Sequence, residues 1–186
     1  MEINDKKNTR LGKIDRVLRL DRTVFKDIQR EENGLKNALS IVMYSTIIGI
    51  GILWVMIFRL EIFLLIFIVL IGSPIIWFVE SGVLHLTARL LGGKSNFRDY
   101  LIVLGYIRSL GALNIIPGIG GLIGSLWRIP CIVVATEEVH KLSTGRSILT
   151  IVIPLIAAIL LAILIVVFIV VLSALFGWQN PLNSLN

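Results

Sequence analysis

Three charged residues fall inside otherwise apolar stretches, where they could form an ion pair or carry a proton. These are Glu80, Arg108 and Arg128. A lone arginine deep in hydrocarbon costs at least about 2.5–3.5 kcal/mol, so each needs a partner or water beside it. Between Glu61 and Arg128 the only other acidic residue is Asp99, at a helix start. Glu80 is therefore the expected partner of Arg108 or Arg128 across helices. As a structural ion pair the group would only neutralise buried charge. As a proton or ion pathway it would carry function, and snorkelling toward the surface is the remaining reading. Counted from Tyr100, Arg108 is expected about 12 Å into its segment at 1.5 Å per residue, and Arg128 about as deep in the next.

The stretch "NIIPGIGGLIGSLW", Asn114 to Trp127, has the glycine density of a phosphate-binding loop. A P-loop needs a lysine, and none occurs between Lys94 and Lys141. A dinucleotide fingerprint needs G-x-G-x-x-G after a strand, whereas Gly118, Gly120, Gly121 and Gly124 put the third glycine one place late. The glycines fit helix packing instead. Gly118 suits positive φ in a tight turn after Pro117. Gly120-x-x-x-Gly124 stacks two bare faces one helical turn apart, which lets another helix approach closely. Ser45-x-x-x-Gly49 offers a similar surface.

His85 and His140 are the only histidines, and H-E-x-x-H is absent. His85 follows Glu80 by five residues, off its helical face. Glu137 and His140, at i and i+3, could touch on one face, but one such pair is far short of a zinc site. No nucleophile elbow or intramembrane-protease pair occurs. The expectation is a protein without catalytic, metal or cofactor residues, and not an enzyme. Glu137, Glu138, His140 and Lys141 form the candidate partner loop.

The elements that must hold these residues are membrane helices. Apolar residues make up 56% of the 186 and charged residues 16%, more apolar side chain than a soluble core of this size can hide. The net charge of +6 and pI near 9.8 fit basic loops at anionic headgroups better than nucleic acid. The single Cys131 excludes an intrachain disulfide and a cysteine metal cluster. Runs of apolar residues give five expected spans, at 38–58, from 62 to the Gly92-Gly93 pair, 100–116, from the Pro117-Gly118 reversal to about Thr136, and 148–176. The second is expected to be interrupted at Ser73-Pro74.

The fold class expected is all-α, a polytopic bundle of five transmembrane helices with an N-terminal amphipathic helix. Its parts are a basic tail over 1–37, the five-helix domain over 38–177 and a short tail over 178–186. The first 37 residues hold ten Lys/Arg and seven Asp/Glu and read as no secretory signal. Within them "LDRTVFKDIQREE" offers Asp21 as N-cap and Val24, Phe25 and Ile28 on one helical face, suited to lying in the inner interface. Arg59 is the one base on the outer side if the N-terminus is inside. The expected location is thus the cell membrane, with the N-terminus cytoplasmic and the C-terminus outside.

Residues from Leu86 to Pro154 resemble the Yip1 domain family. The resemblance rests on the "LGGKS" helix end, the Gly105-Tyr106 pair, the glycine-rich hairpin, Trp127 and the "EEVHKLSTGRS" loop before a long last helix. The "LDRTVFKDI" segment is similar to the family's lead-in. The Asp-Leu-Tyr-Gly-Pro motif of eukaryotic members is absent, and Ser109 and Leu110 stand near where a proline usually follows Gly-Tyr. The sequence resembles the prokaryotic branch, whose activity is unknown. The resemblance implies five spans and a cytoplasmic N-terminus; in eukaryotes it also implies trafficking, prenylated Rab GTPases, oligomerisation or membrane shaping. The expected function is a non-enzymatic scaffold or membrane organiser. Its partners would be the lipid bilayer, further copies of itself or other membrane proteins, and no nucleic acid. The alternative is a small-solute or ion transporter using Glu80, Arg108 and Arg128.

Overall fold

The computed structural model describes residues 9–57 and 60–175, with backbone alone given for 52–57, 60–65 and 175. Arg59 and the tail over 178–186 lie outside the described residues. The described residues form seven α-helices and one 3-10 segment, and no strand. They are α1 (Arg10–Leu18), α2 (Arg22–Gln29), α3 (Gly34–Ile57), α4 (Leu60–Leu90), α5 (Phe97–Ile107), the 3-10 segment (Arg108–Ile115), α6 (Gly120–His140) and α7 (Thr144–Leu175). The chain divides into two units, residues 1–151 and 152–186. Among the described residues two helical stretches, Ile66–Leu90 and Thr144–Ala174, are long and apolar enough to cross a membrane.

At the centre of the first unit stands α5, with every residue from Tyr100 to Ile107 buried. Helices α1, α2, α3, α4 and α6 all pack against it. Its run of large apolar and aromatic side chains has no polar face, which a helix tolerates only when surrounded. Gly105 lets α3 and α4 close on it. A Cβ there would lie 2.6 Å from the Ala38 Cβ and 3.0 Å from the Trp77 ring. The Trp77 indole N–H donates to the Leu101 carbonyl at 3.2 Å.

The amphipathic helix of the tail forms as expected, with Asp21 accepting the Thr23 backbone N–H at 2.9 Å. Its environment differs from the expectation of an interfacial helix. Val24, Phe25 and Ile28 are fully buried, packed with α5 and α6 rather than left free for lipid. A preceding helix, α1, adds Val17 to the same core. Arg16 ties the two helices together, reaching Asp21 and Asp27 at 2.7 Å each. The apolar face of α2 finds protein because α5 and α6 present unfilled apolar surface beside it.

Two expected spans also differ. The second is not broken, because α4 runs through Pro74 without interruption. Proline removes one backbone donor, and a helix supported by its neighbours survives that loss. Beside it the Ser73 and Thr46 hydroxyls share a hydrogen bond of 2.6 Å, tying α4 to α3. The third span is α-helical only to Ile107 and continues as the 3-10 segment. The tighter coil fits between α3 and the start of α6, which both press on it.

Phe25→Ala should lower the stability of the detergent-purified protein by about 3–5 kcal/mol, the cost of emptying a buried aromatic site. A thermal unfolding midpoint equal to that of the parent chain would show that α2 does not belong to the core.

Candidate functional site

Glycines bring the hairpin of the 3-10 segment and α6 together. Gly118 takes φ +79° in the turn after Pro117. A Cβ at Gly120 would collide with the Leu113 carbonyl, and one at Gly124 would come within 2.9 Å of the Leu110 oxygen. At Gly121 it would meet the Asn114 amide oxygen at 2.7 Å. On the other side α3 does the same, since a Cβ at Gly49 would lie 2.9 Å from the Gly111 carbonyl oxygen. The 3-10 segment is therefore held between two bare helix faces, with backbone against backbone.

The ends of this hairpin carry the two arginines, and α4 carries the carboxylate between them. Arg108 Nη2 donates to Glu80 Oε2 at 2.6 Å, and Arg128 Nη2 donates to Glu80 Oε1 and Oε2 at 2.5 and 2.6 Å. Such charge-assisted bonds are the short, strong kind. One carboxylate answers two guanidiniums, so the cluster has a net positive charge. The Nε atoms of Arg108 and Arg128 are buried with no hydrogen-bond partner. The cluster lines a cavity of about 390 Å³ that also touches Asn114, Gly121 and Ser125.

Gly105 packs on Ala38, where the apolar run of α3 begins, so Arg108 stands about one turn from that level. The earlier turns of α5 lie beside α1 and α2.

The sequence profile of the Yip1 domain matches residues 16–167. The chain belongs to the Yip1 domain family. No curated protein and no solved structure matches the chain. Helices apolar enough to span a bilayer and this membership make it a membrane protein of the Yip1 family. The matched region includes α2, the central α5 and the whole hairpin. Both residues of the Gly-Tyr pair have physical roles here. Gly105 admits α3, and the Tyr106 hydroxyl donates to Glu31 Oε2 at 2.6 Å.

The Glu31 contact reveals a polar cluster that no sequence motif marks. Asn37 Nδ2 donates to Glu31 Oε1 at 2.7 Å, and Lys13 Nζ lies 3.2 Å from the same oxygen. Burial works to raise the Glu31 carboxyl, but the bonds from Tyr106, Lys13 and Asn37 outweigh it and hold it below its ordinary value. These four residues come from α1, the α2–α3 connection, α3 and α5, so only the fold brings them together.

The region expected as a partner loop is different in form. Glu137, Glu138 and His140 belong to the last turns of α6, and the helix ends at Lys141 with φ +58°. Arg22 of α2 pairs with Glu137 at 2.7 Å and Glu138 at 3.1 Å, which keeps the helix going through its acidic residues. His140 is fully buried. It does not bond Glu137. Its ring instead packs 5.0 Å from His85 and 4.7 Å from Tyr100, centroid to centroid. Tyr100 shares a hydrogen bond of 2.8 Å with Thr136. Lys141 is half exposed and contacts Glu138 at 3.5 Å. Among the described residues no group of three or more potential metal ligands occurs.

Gly124→Ala should destabilise the chain by about 1–3 kcal/mol, because the added methyl meets backbone. Gly51→Ala has open space around it and should be neutral or slightly stabilising in a helix. Equal melting temperatures for the two variants would refute tight packing at the hairpin. A second expectation concerns pH. The Glu31 carboxyl titrates lower folded than unfolded, so its stabilisation is full above the ordinary value of 4.5 and fades as pH falls through the lower folded value. Glu31→Gln should flatten that acid limb in a pH series of unfolding midpoints, and an unchanged limb would exclude Glu31 as its source.

Proposed function

We propose that this Yip1-family membrane protein is a non-enzymatic scaffold that organises membrane or membrane partners. The observation that carries the reading is α7. Between its first turns and its last, its large apolar side chains are about half exposed or more, and Leu160, Leu164 and Phe168 reach 61%, 64% and 61% along one continuous helix. A helix apolar on every side belongs in lipid or against other membrane helices. Family membership supports the same reading.

The protein sits in the cell membrane with its N-terminus in the cytoplasm and its C-terminus outside. The excess of Lys and Arg in the first 37 residues supports this orientation. Helices α3, α4 and α7 cross the bilayer. The hairpin of the 3-10 segment and α6 enters from the inner side and returns to it. From Gly105, level with the start of the apolar run of α3, to Ile115 the chain rises about 20 Å. That is less than the hydrocarbon thickness of about 30 Å, so the tip at Pro117-Gly118 ends within the outer leaflet. This replaces two of the five full spans with one hairpin and leaves both termini on their expected sides. The partners are lipid, a second copy of the chain or another membrane protein, met through α7, and no cofactor is involved.

In a Cys131→Ser background, cysteines at Ser95 and Ser143 should react with an impermeant thiol reagent only from the cytoplasmic side. One at Asn183 should react only from outside, and one at Gly118 from neither. Labelling of Gly118→Cys from outside would restore five full spans. A photo-crosslinker at Leu160 or Val167 should trap a discrete partner or homodimer in native membranes, and a chain that stays monomeric there loses the scaffold reading.

A further inference from the structure

The charge imbalance around Glu80 calls for a third party. Arg108 and Arg128 each reach Glu80 through Nη2 alone, although a guanidinium carries five donors. Their Nε atoms are buried and unpaired. No other charged side chain lines the cavity of about 390 Å³ beside them among the described residues. A partly buried net charge with unused buried donors is costly, and an anion supplies both the missing charge and the missing acceptors. Forked guanidinium donors suit phosphate oxygens in particular.

A second cavity of about 520 Å³ shares Arg108, Gly111, Asn114 and Gly121 with the first. Its other lining combines Ile50, Val69, Ile76 and Ile116 with the mutually bonded Thr46 and Ser73 and with Ser45. A charged chamber and a largely apolar one therefore share a wall, the arrangement an amphiphile with an anionic head needs. The height of the cluster agrees with this. Glu80 lies about 30 Å along α4 from Leu60 at 1.5 Å per residue, close to the hydrocarbon thickness. Arg108 stands one turn from the level where the apolar run of α3 begins. Both measures put the arginines within reach of inner-leaflet headgroups. This height rests on the membrane placement proposed above; the charge and cavity arguments do not.

We propose that Arg108 and Arg128 form a binding site for a phosphate group, carried by an anionic phospholipid whose acyl chain occupies the second cavity. Glu80 holds the two guanidiniums apart and in register, so that their remaining donors face the phosphate. Loss of either arginine leaves Glu80 paired one to one, and the fold is expected to survive.

The test uses the full chain in detergent with phosphatidylglycerol, phosphatidylcholine or inorganic phosphate, with bound species counted by native mass spectrometry. The parent chain should retain phosphatidylglycerol in preference to phosphatidylcholine. Arg128→Gln and Arg108→Gln should each weaken that retention by about tenfold, the loss of a charge-assisted contact. Ser125→Trp, which adds bulk at an exposed position of the cavity wall, should weaken it without altering charge. Binding of inorganic phosphate with no lipid preference would keep the phosphate site and overturn its lipid source. Retention of phosphatidylglycerol by both arginine variants at the parent level, with unchanged melting temperatures, overturns the site altogether. The measurement is made without a bilayer, so a different topology result leaves its outcome readable.

Discussion

A single carboxylate fixes both ends of the hairpin. Arg108 closes α5 and opens the 3-10 segment, Arg128 lies eight residues into α6, and Glu80 on α4 binds both. The attraction acts at short range between partly buried groups, where it is stronger than on an open surface. It also imposes a demand on α4. That helix has to run unbroken past Pro74 to deliver Glu80 to the hairpin base, and it does. Removal of Glu80 would leave two uncompensated guanidiniums, which is more harmful than replacing the whole group with apolar side chains.

Glycine makes that geometry sterically accessible. The 3-10 segment presents backbone carbonyls at Leu110, Gly111 and Leu113, and Gly124, Gly49 and Gly120 respectively come up against them. Close backbone approach in lipid gains dispersion contacts that larger side chains would prevent. The same principle acts at Gly105, where α3 and Trp77 of α4 converge on α5. The ion cluster and the glycine contacts reinforce each other, because the close approach of the helices keeps the guanidiniums within reach of Glu80.

The basic tail is joined to the bundle as part of its core. Val17, Val24, Phe25 and Ile28 share one buried cluster with α5 and α6. Burial of such side chains contributes about 1.5–3 kcal/mol each, whereas exposed ion pairs such as that of Arg22 add little on their own. The Glu31 cluster adds a directional link from this layer to Tyr106.

Composition and local pattern were enough for the all-α class, the Asp21 cap, the helix at Val24–Ile28 and the positive φ of Gly118. Each depends on neighbours within a few residues or on the total of apolar side chain. A pairing of Glu80 with Arg108 or Arg128 was expected for a related reason, since few other charges were available in the apolar segments, but that one carboxylate holds both was not. Other features could not be read in the same way. The burial of α2, the placement of Glu137 with Arg22 and the meeting of His85 with His140 all involve residues far apart in the chain. Apolar periodicity says that a face will be covered, and it is equally satisfied by lipid or by protein. Tertiary structure decided between them, because the space left around α5 determined which faces found protein and which charges met.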